Sequence, residues 1–202
     1  VYVTDWFQNN VLTISADEMK VTHRLKVGVT PSGIAYNKKY KYQVITNRDA
    51  NTLEIYNEDC NLVKKIETGN HPFGVFSEGD FAYVANVYDD SVSIINLVDW
   101  SKYEFMVGAH PYNVKVHNKT AYVTNTIDDT ITIYDLGTKK IIKILDTGET
   151  PENLDFNIKQ NLLVVTNWGS DSISIFDTES FRHIKEIKTG SQSRSFGDFI
   201  LQ

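Results

Sequence analysis

Residues 121–148, AYVTNTIDDTITIYDLGTKKIIKILDTG, hold the cleanest cycle of the pattern that organises this chain. Ala121 to Asn125 is rich in β-formers, and Ile127, Asp128 and Asp129 make a turn. Thr130 to Tyr134 alternates polar and apolar side chains, as a strand with two different faces does. Asp135 to Lys139 turns again around Gly137, and Ile141 to Leu145 is a third strand. Gly148 and Pro151 punctuate a loop, after which Asn153 to Asn157 reads as a fourth strand. Four short strands in about 40 residues is the size of one propeller blade.

The cycle recurs from end to end. Aligned on the Asn of YVTN, the chain gives Asp5, Asn47, Asn86, Asn125 and Asn167, spaced by 42, 39, 39 and 42. Aligned on the glycine after the last long strand, it gives Gly28, Gly69, Gly108, Gly148 and Gly190, spaced by 41, 39, 40 and 42. Two independent anchors share one period. The copies of the first strand read VYVTD, QVITN, AYVAN, AYVTN and VVTN. Tyr122-Val123-Thr124-Asn125 matches the motif literally, and SRSFGDFI closes the chain. On these residues the chain resembles the YVTN family of β-propeller repeats, of the surface-layer type, over essentially its whole length. That resemblance implies a periplasmic or cell-surface protein.

The fold expected is a single all-β domain spanning 1–202, a five-bladed β-propeller of four-stranded antiparallel blades. Full copies cover 29–69, 70–108, 109–148 and 149–190. Residues 1–28 supply three strands and 191–202 one, and these phases are complementary. A propeller avoids a long open edge by building one blade from both termini. The chain starts at Val1 inside a strand, which points to a segment upstream; a leader there would mean export.

Composition narrows the function. The formal charge is −6, which argues against binding a phosphate backbone. No run reaches the roughly 20 apolar residues of a membrane span. The single cysteine, Cys60, has no intrachain partner and sits in an acidic turn, no setting for a nucleophilic thiolate. No nucleophile-elbow motif and no haem attachment motif occurs, and no cofactor is expected.

The Asn that ends each YVTN strand is expected to bond backbone N–H groups nearby, replacing ladder bonds that the turn interrupts. The acid pairs Asp89-Asp90 and Asp128-Asp129 recur because turns recur, so they do not read as catalytic dyads. Repeats fix scaffold positions and leave loops free to vary. In a four-stranded meander the turn after strand two and the loop after strand four lie on one face. That face should carry Trp6, Phe7, Arg48, Tyr88 and Trp168 from the turns. His71, Phe73, His110, Tyr112, Glu152, Gln192 and Arg194 join them from the loops. An aromatic rim with cations suits a protein partner or a small ligand. His71 and His110 occupy one position in adjacent copies, but a metal needs more ligands than that pair offers.

The expected function is therefore a non-catalytic binding propeller that presents one loop face to a protein, or to a ligand held by a partner. Relatives of this repeat type include subunits of periplasmic redox enzymes such as quinohaemoprotein amine dehydrogenases, which makes a redox subunit the alternative. A hydrolase or lactonase using the axial carboxylates Glu152, Asp155 and Asp198 is a further one; glycoside cleavage, for example, needs two carboxyls across one bond.

Overall fold

The computed structural model describes residues 1–195 and 197–200. Apart from one short 3-10 turn, Ile158–Gln160, its regular structure is entirely β. The first sheet has three strands: β1 (Tyr2–Asp5), β2 (Asn10–Ser15) and β3 (Lys20–Lys26). The second holds β4 (Pro31–Asn37), β5 (Tyr42–Asn47), β6 (Thr52–Tyr56) and β7 (Leu62–Glu67). The third holds β8 (Pro72–Glu78), β9 (Phe81–Asn86), β10 (Ser91–Asn96) and β11 (Lys102–Met106). The fourth holds β12 (Pro111–His117), β13 (Thr120–Asn125), β14 (Thr130–Asp135) and β15 (Lys140–Asp146). The fifth holds β16 (Pro151–Asn157), β17 (Leu162–Asn167), β18 (Ser172–Asp177) and β19 (His183–Lys188). All are antiparallel meanders, the five blades of a β-propeller. The chain divides into two compact units, Val1–Met106 and Val107–Gln202.

Period-two alternation explains the packing, because both faces of the middle strands are buried. In β6, Leu53 and Ile55 join a core with Ala82, Val84 and Ile95 of the next blade. Tyr56 turns the other way, into a core with Val11 and Leu25 of the preceding blade. The second unit repeats the scheme: Ile131, Ile133 and Tyr122 meet Leu154, Leu163 and Phe176. Each core lies between two blades, so no blade can bury its apolar surface alone.

The two sequence anchors meet in space. Pro31 pairs with Asn47, Pro72 with Asn86, Pro111 with Asn125 and Pro151 with Asn167. A Cβ on Gly108 would stand 2.7 Å from Cγ and Nδ2 of Asn125, so the glycine leaves room for the amide. The Asn side chains meet the expectation in part: Asn86 Oδ1 accepts from Gly69 N at 3.2 Å, but the amide N–H groups turn to side-chain hydroxyls. Asn125 Nδ2 donates to Thr130 Oγ1 at 3.0 Å and Thr132 Oγ1 at 2.9 Å. Asn86 and Asn167 reach the hydroxyls of Ser91 and Ser93, and of Ser172 and Ser174. The amide thus ties the second strand to the third strand's hydroxyl row, while the turn's N–H groups go elsewhere. In the first copy, where Asp5 replaces Asn, the anchor accepts a turn N–H, from Gln8 at 3.1 Å.

The residue closing each such turn sits at positive φ, which Asn and Asp tolerate. It links blades: Asn9 Oδ1 accepts from Thr30 N, Asn51 Oδ1 from His71 N, and Asp129 Oδ1 from Thr150 N. Asp89 and Asp128 take the N–H groups of Asn70 and Ala109. The acid pairs are turn scaffolding. The Thr of YVTN also reaches across, since Thr46 Oγ1 donates to Phe73 O at 2.6 Å and Thr4 Oγ1 to Ser32 O at 3.1 Å.

The C-terminal residues lie beside β16. Asn113, Asn153 and Ser195 hold one repeat position and bond in succession, so Ser195 takes the place of a next inner strand. No ladder strand forms among the described residues there, and Phe196, Leu201 and Gln202 lie outside them.

Candidate functional site

At the loop end of Val1–Met106, five of the expected rim residues form one connected set. The guanidinium of Arg48 lies 4.8 Å from the centroid of the Trp6 ring. The edge of that ring meets Phe73 at 5.7 Å and 85°. Arg48 Nε donates to Asp49 Oδ1 at 3.0 Å, and His71 Nδ1 stands 4.0 Å from the same oxygen. The His71 ring stacks on Tyr88 at 4.1 Å. Asp49 is the centre of the set. The Thr30 hydroxyl and then the Arg48 guanidinium hold its carboxyl below the usual range. Sequence reading passed over Asp49, although it stands alone in a column that the other copies fill with Phe7, Tyr88, Ile127 and Gly169.

Exposure singles out Tyr88 within this set and Phe7 beside it. Phe7 is 96% exposed and Tyr88 61%, whereas Trp6 keeps 37% because Arg48 and Phe73 hold it. A fixed aromatic ring thus stands next to a fully solvated one.

In Val107–Gln202 a second, smaller set forms. Arg194 lies 5.1 Å from the Trp168 ring centroid and donates to Glu152 Oε1 at 3.0 Å. Burial pushes the Glu152 carboxyl up, and Arg194 partly offsets this. His110 and Tyr112 sit at the start of β12, where the His110 carbonyl accepts from both Thr126 N and Thr126 Oγ1 at 3.0 Å. Among the described residues no group of three or more His, Cys, Asp or Glu is placed to hold a metal ion.

The axial carboxylates are committed to structure. Lys115 Nζ donates to Asp155 at 2.7 Å and to Asp198 at 2.8 Å. The N–H groups of Phe199 and Ile200 both donate to Asp155 Oδ2 at 2.8 Å. Burial alone would raise Asp155, but Lys115 and those two amides outweigh it and hold the carboxyl below its ordinary range. Asp155 thus fastens the C-terminal segment to β16.

The chain resembles solved β-propellers in fold. Hydrazine synthase of Kuenenia stuttgartiensis matches with a TM-score of 0.68 at 12% identity, over 95% of this chain and 84% of that one. The structure of U3-55K matches with a TM-score of 0.82 at 10% identity, over 93% of this chain and 60% of that one. Identities this low show the fold alone. No protein-family model matches the sequence, and neither does any curated protein. Among the described residues no helix is long and apolar enough to cross a membrane.

Proposed function

We propose that the chain is a non-catalytic binding module whose contact surface is the loop end of Val1–Met106, centred on Trp6 and Phe7. One observation carries this reading: a fully exposed Phe7 next to a Trp6 ring already fixed by Arg48 and Phe73. Fixing the ring in advance removes much of the ordering cost of binding. The partner expected is a protein with an apolar socket, since aromatic anchors dominate such interfaces. The tying of Glu152, Asp155 and Asp198 to cations supports binding over hydrolysis.

Affinity capture from the native periplasmic or surface extract tests the reading. Wild-type chain should retain a stoichiometric partner, and Phe7→Ser with Trp6→Ala should release it. Met19→Ser, at the other end of the strands, should retain it. Equal retention by all three would sink the proposal. Hydrazine synthase among the fold relatives motivates one spectral check, because a coloured partner in the eluate would favour a redox-enzyme subunit.

A further inference from the structure

The blades of Val1–Met106 depart from their own repeat at one place, the far end of the interface between the β1–β3 sheet and the β4–β7 sheet. Four residues before the anchoring Asn, other copies carry Ala82, Ala121 and Leu163, all buried. The second copy carries Gln43, only 3% exposed. At the positive-φ position that closes the third turn, Trp100 and Phe181 each pack on an adjoining core. Lys139 and Met19 hold that position in two further copies, and here it is the small Cys60. Ile55, Ile94, Ile133 and Ile175 share a third position, where the first copy has Thr13.

These three departures line one cleft of about 320 Å³, together with Tyr2, His23, Glu58 and Asp59. That volume falls within the range of roughly 300–1,000 Å³ seen for small-molecule sites. Gln43 lies within it; the residue is 3% exposed, yet its amide is not sealed in the core but opens onto the cleft. The other copies hold an apolar side chain there. A repeat that forgoes an aromatic plug, an isoleucine and an alanine around one point has opened a polar pocket there.

The lining decides the ligand class. Gln43 supplies a carbonyl acceptor facing the cleft, and the His23 ring lines it as well. Glu58 is shared between Tyr36 Oη and Lys41 Nζ, each at 3.1 Å, whereas Asp59 at the rim carries no ion pair among the described residues. Tyr2, stacked on Tyr36 at 6.4 Å, adds an aromatic wall. Acceptors, one uncompensated carboxylate and an aromatic face together suit a planar cation with several N–H donors. We propose that this cleft binds a small organic cation of the guanidinium or amidinium class. The site is independent of the aromatic surface at the loop end.

Agmatine is the probe, and N-carbamoylputrescine, which replaces its guanidinium by a neutral urea and keeps its ammonium, is the control. The readouts are calorimetry and the side-chain NH₂ resonances of Gln43 in ¹⁵N-labelled protein. Agmatine should bind at millimolar concentration and shift those resonances, with the urea control at least tenfold weaker. Gln43→Leu and Cys60→Phe install residues the repeat already uses at these positions. Both should fold, and both should lose at least tenfold in agmatine affinity. A Gly-Arg-Gly peptide separates the sources: binding as tight as agmatine assigns the site to an arginine side chain, weaker binding to a free small molecule. No Gln43 shift with agmatine, equal binding of the urea control, or unchanged affinity in both folded variants would overturn the proposal.

Discussion

Gly108 and Gly190 occupy the same position in the repeat, yet alanine should act oppositely at the two. At Gly108 the new Cβ would stand 2.7 Å from Cγ and Nδ2 of the fully buried Asn125 and 2.7 Å from Asp128 Oδ2. Overpacking of this kind costs about 1–3 kcal/mol. Displacing the amide also strains its bonds to Thr130 and Thr132, worth about 1 kcal/mol each. Reduced freedom of the unfolded chain returns about 0.4–1 kcal/mol. The net expectation for Gly108→Ala is a loss of about 2–4 kcal/mol. At Gly190 nothing lies within 4 Å of the added Cβ, so alanine should be neutral or stabilise by up to about 1 kcal/mol. Urea unfolding reads both as shifts in midpoint at constant slope. In the double variant with Asn125→Ala the two costs should fall short of additivity, because the clash is gone. A loss below about 1 kcal/mol at Gly108, or an equal loss at Gly190, would refute the contact between the two anchors.

Other outcomes follow from the same contacts. Thr46→Val removes the hydroxyl that donates to Phe73 O and accepts from Gly33 N, and should cost about 1–3 kcal/mol in urea, with Thr46→Ser recovering most of it. Lys115→Met leaves Asp155 buried without its cation and should cost about 3–5 kcal/mol. Asp155 has a folded pKa below its unfolded value of about 3.9, so its contribution is full above that pH and is lost as pH falls through the folded value. Acid titration of Asp155→Asn should therefore show a shallower loss of stability below about pH 4 than wild type. Glu152 has the opposite sign: its folded pKa is raised, so its contribution is full below about pH 4.3 and is lost as pH rises through the folded value. Glu152→Gln should abolish that decline in the same titration.

Much of the architecture was legible because the repeat states it five times. Strand positions, the Gly and Pro of the loops and the αL-tolerant Asn and Asp of the turns all follow from periodicity. The partners of those residues were not legible, because they lie a strand or a blade away. Asn125 bonds the hydroxyls of Thr130 and Thr132, a choice that the sequence of its turn does not reveal. The rim was half legible. Trp6, Arg48, His71, Phe73 and Tyr88 were picked as varied loop residues, but only geometry joins them through Asp49. Lys115 escaped notice because a lysine on an inner strand reads as solvated until Asp155 and Asp198 are seen to meet it. Gln43, Thr13 and Cys60 did carry a signal. Each breaks a column that the other copies keep mostly apolar, and reading the copies for exceptions as well as agreements would have found them.

The central claim is that Phe7 and its surroundings meet a partner. A photo-crosslinking residue placed at position 7, with position 19 as the control at the opposite strand ends, tests it most directly in native extract. Position 7 should give one discrete adduct, lost in the Trp6→Ala background, and position 19 should give none. No adduct at position 7, or the same adduct from both positions, would contradict the account.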